Sequence, residues 1–185
     1  MSFDTLDKID LRILQELQND ASLTNVELAS RVNLSPSPCL ARVKTLERLG
    51  VINRRVAVVD PQIVGLRVMA FIQVTLDKHA QSVRDGFAAE IGRIAEIMDC
   101  YLMVGDQDYL LRAIVSDVSD LENLMARISR IAGVSSLRSG LAVRNVSSRR
   151  ALPLDASRPI QVKSVTATSE RSSHPQVHRH LQALA

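Results

Sequence analysis

Apolar residues recur along this chain with two periods, and the change from one to the other marks its organisation. In the first fifty residues the spacing is helical. Leu6, Ile9, Ile13 and Leu17 share one face at about 100° per residue, and Asp20-Ala21-Ser22 breaks the pattern. Thr24-Asn25-Val26-Glu27 reads as a capping box: the threonine hydroxyl takes the amide three residues on, and the glutamate reaches back. Leu23 and Leu28 flank it as a hydrophobic staple, and the short helix it opens ends near Val32. After the break Asn33-Leu34-Ser35, a third helix opens on a serine-proline signal, with Ser35 or Ser37 as its cap and Gly50 as its stop. Cys39, Leu40, Val43, Leu46 and Leu49 gather on one side of that helix.

Beyond Gly50 the period falls towards two. Val51 to Val59 is β-prone and ends at Asp60-Pro61, which predicts a hinge strand between two domains. Residues 67–148 predict the order β-α-β-β-α-β. Val68, Ala70, Ile72, Val74 and Leu76 alternate along the first strand. Ser82-Val83-Arg84-Asp85 opens a helix that turns Val83, Phe87, Ile91 and Ile94 inward. Ile97–Val104 and Tyr109–Val115 read as a hairpin about the turn Gly105-Asp106-Gln107-Asp108. Ser119-Asp120-Leu121-Glu122 reads as a second capping box, for a helix with Leu121, Leu124, Ile128 and Ile131 inside and Gly133 as its stop. Val134–Val146 is the last strand. This order is the ferredoxin-like split βαβ, an α+β fold whose helices cover one face of the sheet. Met69, Phe71, Met103, Leu110, Arg112 and Ile114 fall on the other face, which is the expected dimerisation surface. From Pro153 the periodicity fades into Ser, Pro, Arg, Gln and His, so residues 153–185 are expected to be a disordered extension. The expected domains are residues 4–60, with a helix-turn-helix at about 24–49, and residues 66–150.

Charge adds a candidate chemistry. The net charge of +3 is modest, but its distribution is uneven. Residues 31–55 carry Arg31, Arg42, Lys44, Arg48, Arg54 and Arg55 against Glu47 alone, whereas residues 1–30 are acidic. Such a local basic segment is the footprint of a phosphate-binding surface. The polar side of the third helix presents Ser37, Ala41, Lys44, Thr45 and Arg48, with Arg42 at its edge. Small, hydroxyl-bearing and cationic residues on one helical face suit a major groove. Aromatic residues for stacking single strands are absent there.

Other classes are disfavoured. No run approaches the ~18 apolar residues that span a membrane, and Met1-Ser2-Phe3-Asp4 lacks the start of a signal peptide. A cytoplasmic, nucleoid-associated location is expected, with no membrane partner and with Cys39 and Cys100 as free thiols. Cys39 has no histidine partner, and His79 is the only histidine before the tail, so no catalytic set is assigned. His174, His178 and His180 are read as part of a polar tail, so neither a metal nor a cofactor is expected. Arg149, Arg150, Arg158, Lys163, Arg171 and Arg179 could add non-specific phosphate contacts. The turn at Gly105, Asp106 and Asp108 reads either as a plain hairpin turn or as a receiver for an α-ammonium group. An enzyme of amino-acid metabolism with a ferredoxin-like regulatory domain, and a chromatin-like protein that coats DNA, are the rival readings.

Several motifs together resemble the Lrp/AsnC family. They are Leu6-Asp7-x-Ile9-Asp10-x-x-Ile13-Leu14, Asn25-Val26-Glu27-Leu28-Ala29-x-Arg31-Val32, Leu34-Ser35-Pro36-Ser37-Pro38-Cys39-Leu40-x-Arg42-Val43 and Leu46-Glu47-x-x-Gly50-Val51-Ile52. The second domain adds Gly105-Asp106-x-Asp108-Tyr109-Leu110-Leu111 and Gly133-Val134. The resemblance spans about residues 4–150. It implies a winged helix-turn-helix on double-stranded DNA, homodimers that assemble further, octamers among them, and an amino-acid effector held between second domains. On this reading the DNA-facing set is Asn25, Arg31, Ser35, Ser37, Pro38, Ala41, Arg42, Lys44, Thr45 and Arg48. The effector set is Gly105, Asp106 and Asp108 with Leu141, Ala142 and Val143, for a hydrophobic or branched amino acid or a related acid.

Overall fold

The computed structural model of the chain describes residues 3–77, 80–149, 151–155 and 160–163. Strand β1 (Phe3–Leu6) precedes helices α1 (Lys8–Asn19), α2 (Asn25–Arg31) and α3 (Pro36–Arg48). Then come β2 (Val68–Leu76), α4 (Gln81–Ile91), β3 (Ile97–Leu102), β4 (Tyr109–Val115), α5 (Val118–Ser129), β5 (Val134–Leu141) and β6 (Ile160–Lys163). Described residues up to 58 and from 147 onward make one unit, and residues 59–146 make the other.

The helices of the first unit start and stop where local hydrogen bonding dictates. The Asp7 carboxylate accepts the amides of Ile9 and Asp10 at 2.8 Å each, and Asp10 accepts the Asp7 amide at 3.0 Å. That reciprocal cap begins α1 at Lys8, so Leu6 belongs to β1 and not to the helical face expected of it. The inner face of α1 is Leu11, Ile13 and Leu14, with Ile9 and Leu17 partly buried beside them. The expected box at Thr24 and Glu27 caps α2. Helix α2 ends in a Schellman turn: Asn33 adopts φ 58°, its amide donates to Ser30 O, and the Leu34 amide donates to Ala29 O at 2.9 Å. Asparagine is one of the few side chains that tolerate this left-handed conformation. Ser35 is the cap of α3 and Pro36 its first residue, which decides between the two candidate serines. Gly50, at φ 73°, closes α3 in the same way as Asn33 closes α2. Cys39, Val43 and Leu46 of α3 pack with Leu28 and Ala29 of α2, but Leu40 is 42% exposed despite its expected place inside.

Two expectations about connecting segments need correction. Residues 53–60 form no strand: Val56, Val58 and Val59 are exposed, and no described segment lies alongside to share hydrogen bonds. β-propensity without a partner does not make a strand. The extension from Pro153 is not structureless throughout. Its residues 160–163 are β6, antiparallel to β1, with Ile160 opposite Leu6 and Val162 opposite Asp4. Leu154, Ile160 and Val162 pack against the core of the first unit. Ile160 and Val162, two residues apart, fall on one side of β6 despite the polar composition around them. Residues 156–159 and 164–185, with Arg158, Arg171, Arg179 and the three tail histidines, lie outside the described residues, as do His79 and Arg150.

The second unit is the expected ferredoxin-like domain, with an antiparallel sheet in the order β3-β4-β2-β5. Ala70, Ile72, Val74 and Leu76 of β2 and Leu111 and Ala113 of β4 meet Phe87 and Ile91 of α4 and Leu121, Leu124 and Ile128 of α5. Details differ at helix starts. Ala80 and not Ser82 precedes α4, and Asp117, whose carboxylate takes the Asp120 amide at 2.9 Å, caps α5 in place of the Ser119 box. Strand β5 ends at Leu141, short of the expected Val146.

Candidate functional site

Helix α3 sorts the basic residues into two groups. Arg42, Arg31 and Arg55 are paired: Arg42 with Asp7 at 2.7 Å and Asp10 at 2.8 Å, Arg31 with Glu16 at 3.2 Å, and Arg55 with Glu47 at 3.2 Å. Lys44, Arg48 and Arg54 are exposed and make no ion pair among the described residues. Ser37, Pro38, Ala41 and Thr45 share the exposed side of α3 with Lys44 and Arg48. The result is a cationic helix surface that also carries short side chains, seated on an apolar core.

Asn25 and Arg42 have structural work to do. The Asn25 side-chain amide donates to Pro36 O at 2.8 Å, which pins the start of α2 to the start of α3. Arg42 joins α3 to the cap of α1, and sequence reasoning did not foresee its partners. Burial acts to raise the Asp7 carboxyl. The Asp10 amide and the Arg42 guanidinium outweigh it, so the group sits below its ordinary value of 3.8.

The candidate effector residues do not meet within one chain. Gly105, at φ 139°, and Asp106 lie in the turn that leads back to β4. Beside that turn Asp108 is tied to the late end of β2: its amide donates to Val74 O at 3.0 Å, and its carboxylate accepts the Leu76 amide at 2.7 Å. Leu141 pairs with Ala70 and the Ala142 amide donates to Met69 O at 2.9 Å, at the early end of the same strand. At ~3.4 Å per residue the two groups stand roughly 20 Å apart. Asp106, Leu141 and Val143 are exposed, so each group is open to a second molecule.

The sheet face away from the helices carries a row running Asp99, Arg112, Phe71, Gly140 across β3, β4, β2 and β5. Arg112 is ion-paired with Asp99. Phe71 and Tyr101 are exposed at 42% and 54%, with Met69, Leu110 and Ile114 half-buried around them. Met103 falls just past β3 and outside the strand. Among the described residues no group of three His, Cys, Asp or Glu could hold a metal ion, and no helix is long and apolar enough to cross a membrane.

Comparison with known proteins adds the following. Residues 69–152 match the Lrp/AsnC ligand binding domain, and residues 6–53 match a winged helix-turn-helix DNA-binding family. The chain is 40% identical over 142 residues to the leucine-responsive regulatory protein of Salmonella typhimurium, covering 76% of this chain and 87% of that protein. It is 39% identical over the same length to the protein of that name in Escherichia coli strain K12. Among solved structures, a transcriptional regulator of Neisseria meningitidis in complex with L-Met superposes with a TM-score of 0.78 at 38% identity, over 81% of this chain and 97% of that one. An AsnC family transcriptional regulator of Agrobacterium tumefaciens gives 0.77 at 32% identity, over 80% and 97%.

Proposed function

This chain belongs to the Lrp/AsnC family of transcriptional regulators, and from that membership we propose that it reads operator DNA with α3 and an amino acid with its second unit. The observation that carries the reading is the exposed side of α3, which Ser37, Ala41 and Thr45 share with Lys44 and Arg48. Short and hydroxyl-bearing side chains let the helix approach base edges, and the two cations meet phosphate or guanine. Ser35 and Pro38 at the start of α3, and Arg31 at the end of α2, flank that surface. Asn25 and Arg42 orient α3 through their own bonds and do not themselves read bases.

The apolar residues around Arg112 on the open sheet face suit a second copy of the chain, and a two-fold dimer fits two half-sites on DNA. The effector is an amino acid, as L-Met is in the Neisseria complex. Asp106 receives the ammonium group, and Leu141, Ala142 and Val143 of a different copy receive the side chain. The separation of the two groups along β2 supports this composite arrangement. Binding then favours one assembly, octamers among them, over another and changes which sites are engaged together. No catalysis is involved, and the protein works in the cytoplasm on the nucleoid. Selection of genomic fragments by the purified protein, with and without pooled amino acids, tests this. Discrete two-fold sites whose occupancy responds to amino acids are expected. Equal retention of all fragments would overturn it.

A further inference from the structure

We propose that residues 151–155 and 160–163 are a strap that completes the DNA-binding unit from the far end of the chain, and that α3 depends on it. The match to the ligand binding domain ends at residue 152, and residues 151–155 and 160–163 belong to the first unit. Three sets of contacts hold them there. Gln18 grips the backbone of Leu152 from both sides, accepting its amide at 2.6 Å and donating to its carbonyl at 3.5 Å. Gln15, one turn earlier, donates to Leu154 O at 3.0 Å. Strand β6 then pairs with all four residues of β1. The side chains agree with the backbone: Leu154, Ile160 and Val162 pack on the core of the first unit, and Gln161 and Thr5 are exposed.

The strap bears on α3 through a short path. β1 ends at Leu6, whose side chain is buried opposite Ile160. Its next residue, Asp7, caps α1 and holds Arg42 of α3, as does Asp10. An edge strand with no partner would expose its amides and lose a stretch of apolar cover. The cap that seats Arg42 would then fray with it.

The full-length double variant I160S/V162S keeps every charge and removes the apolar side of the strap. Expected are faster amide exchange at residues 3–6 and in α1, and at least tenfold weaker DNA binding with an unchanged salt slope. Unchanged exchange overturns the proposal. So does a weaker binding whose salt slope has fallen while exchange is unchanged, since the segment would then be a cationic arm on DNA. Cysteines at the paired, exposed positions, T5C/Q161C, test the register. An intrachain disulfide that restores protection to I160S/V162S supports the strap, even if the double variant alone fails to fold. A disulfide formed only between two chains overturns it. The affinity readout rests on the DNA-binding reading, whereas exchange and cross-linking do not, so the two can fail separately.

Discussion

Arg42 Nη1 lies 2.7 Å from Asp7 Oδ2 and 2.8 Å from Asp10 Oδ1, so a single nitrogen of α3 ties that helix to the cap and first turn of α1. Arg42→Ala is expected to destabilise the first unit by about 1 kcal/mol, allowing for the partial exposure of the pair. Urea unfolding of the variant checks this. Its DNA affinity should fall only as far as its stability does. A tenfold loss of affinity without any loss of stability would make Arg42 a direct DNA contact instead.

Lys44→Ala and Arg48→Ala predict the opposite behaviour. Both side chains are exposed and unpaired among the described residues, so unfolding should be unchanged within about 0.5 kcal/mol. DNA affinity should drop, and each substitution that removes a phosphate contact should lower the slope of log K against log salt by about 0.9. Titration by fluorescence anisotropy at three salt concentrations measures both.

Acid should open the first unit. The Asp7 carboxyl is held below 3.8 by the balance of burial, the Asp10 amide and Arg42, and Glu27 is held below its ordinary 4.5 by the Thr24 hydroxyl and amide. Asp20 is lowered in the same way by Ser22. Depressed carboxyls stabilise the folded state above their unfolded values, near pH 4, and that stability is lost as pH falls through the folded values. Circular dichroism melts from pH 6 to pH 2 should therefore show a fall in melting temperature below pH 4 that is shallower in Asp7→Asn.

Asp106 and Asp108 should separate. The Asp108 carboxylate holds the Leu76 amide, so Asp108→Ala should cost the second unit about 1–2 kcal/mol. Asp106→Ala should leave unfolding unchanged and weaken the amino-acid response. Calorimetric titration with amino acids and a thermal melt of each variant decide the matter. A normal response in Asp106→Ala would remove it from the effector site.

Gly133 tests the packing of the second unit. At φ 89° it turns the chain into β5, and a Cβ there would collide with Val83 Cγ1. Gly133→Ala combines strain with overpacking and should cost about 2–4 kcal/mol. A melting temperature equal to that of the parent would contradict the fit.

The elements legible in the sequence were those whose signals are local. Thr24 with Glu27, proline after Ser35 and glycine at 50 each act within a few residues, and the structure has a cap or stop at each. The alternation of Ala70, Ile72 and Val74 likewise located the core face of β2. Non-local pairing was not legible. Nothing near Arg42 in the chain announces Asp7 and Asp10. The β-prone residues 56–59 stayed unpaired, whereas Ile160 and Val162, in a polar context, found β1. The candidate site residues followed the same division in where the structure puts them. The exposed side of α3 could be read from its period, but no spacing rule separates Gly105 from Leu141 by the length of β2.

The pairing of β1 with β6 also sets an order of events during synthesis. The helices at the start of the chain leave the ribosome first, but the strand that covers β1 is made only after the entire second unit. Domains usually fold in the order in which they emerge. Here β1 waits with an open edge until β6 has been made. If α3 depends on that strand, a nascent chain is kept from acting on DNA until the domain that would govern it has been translated.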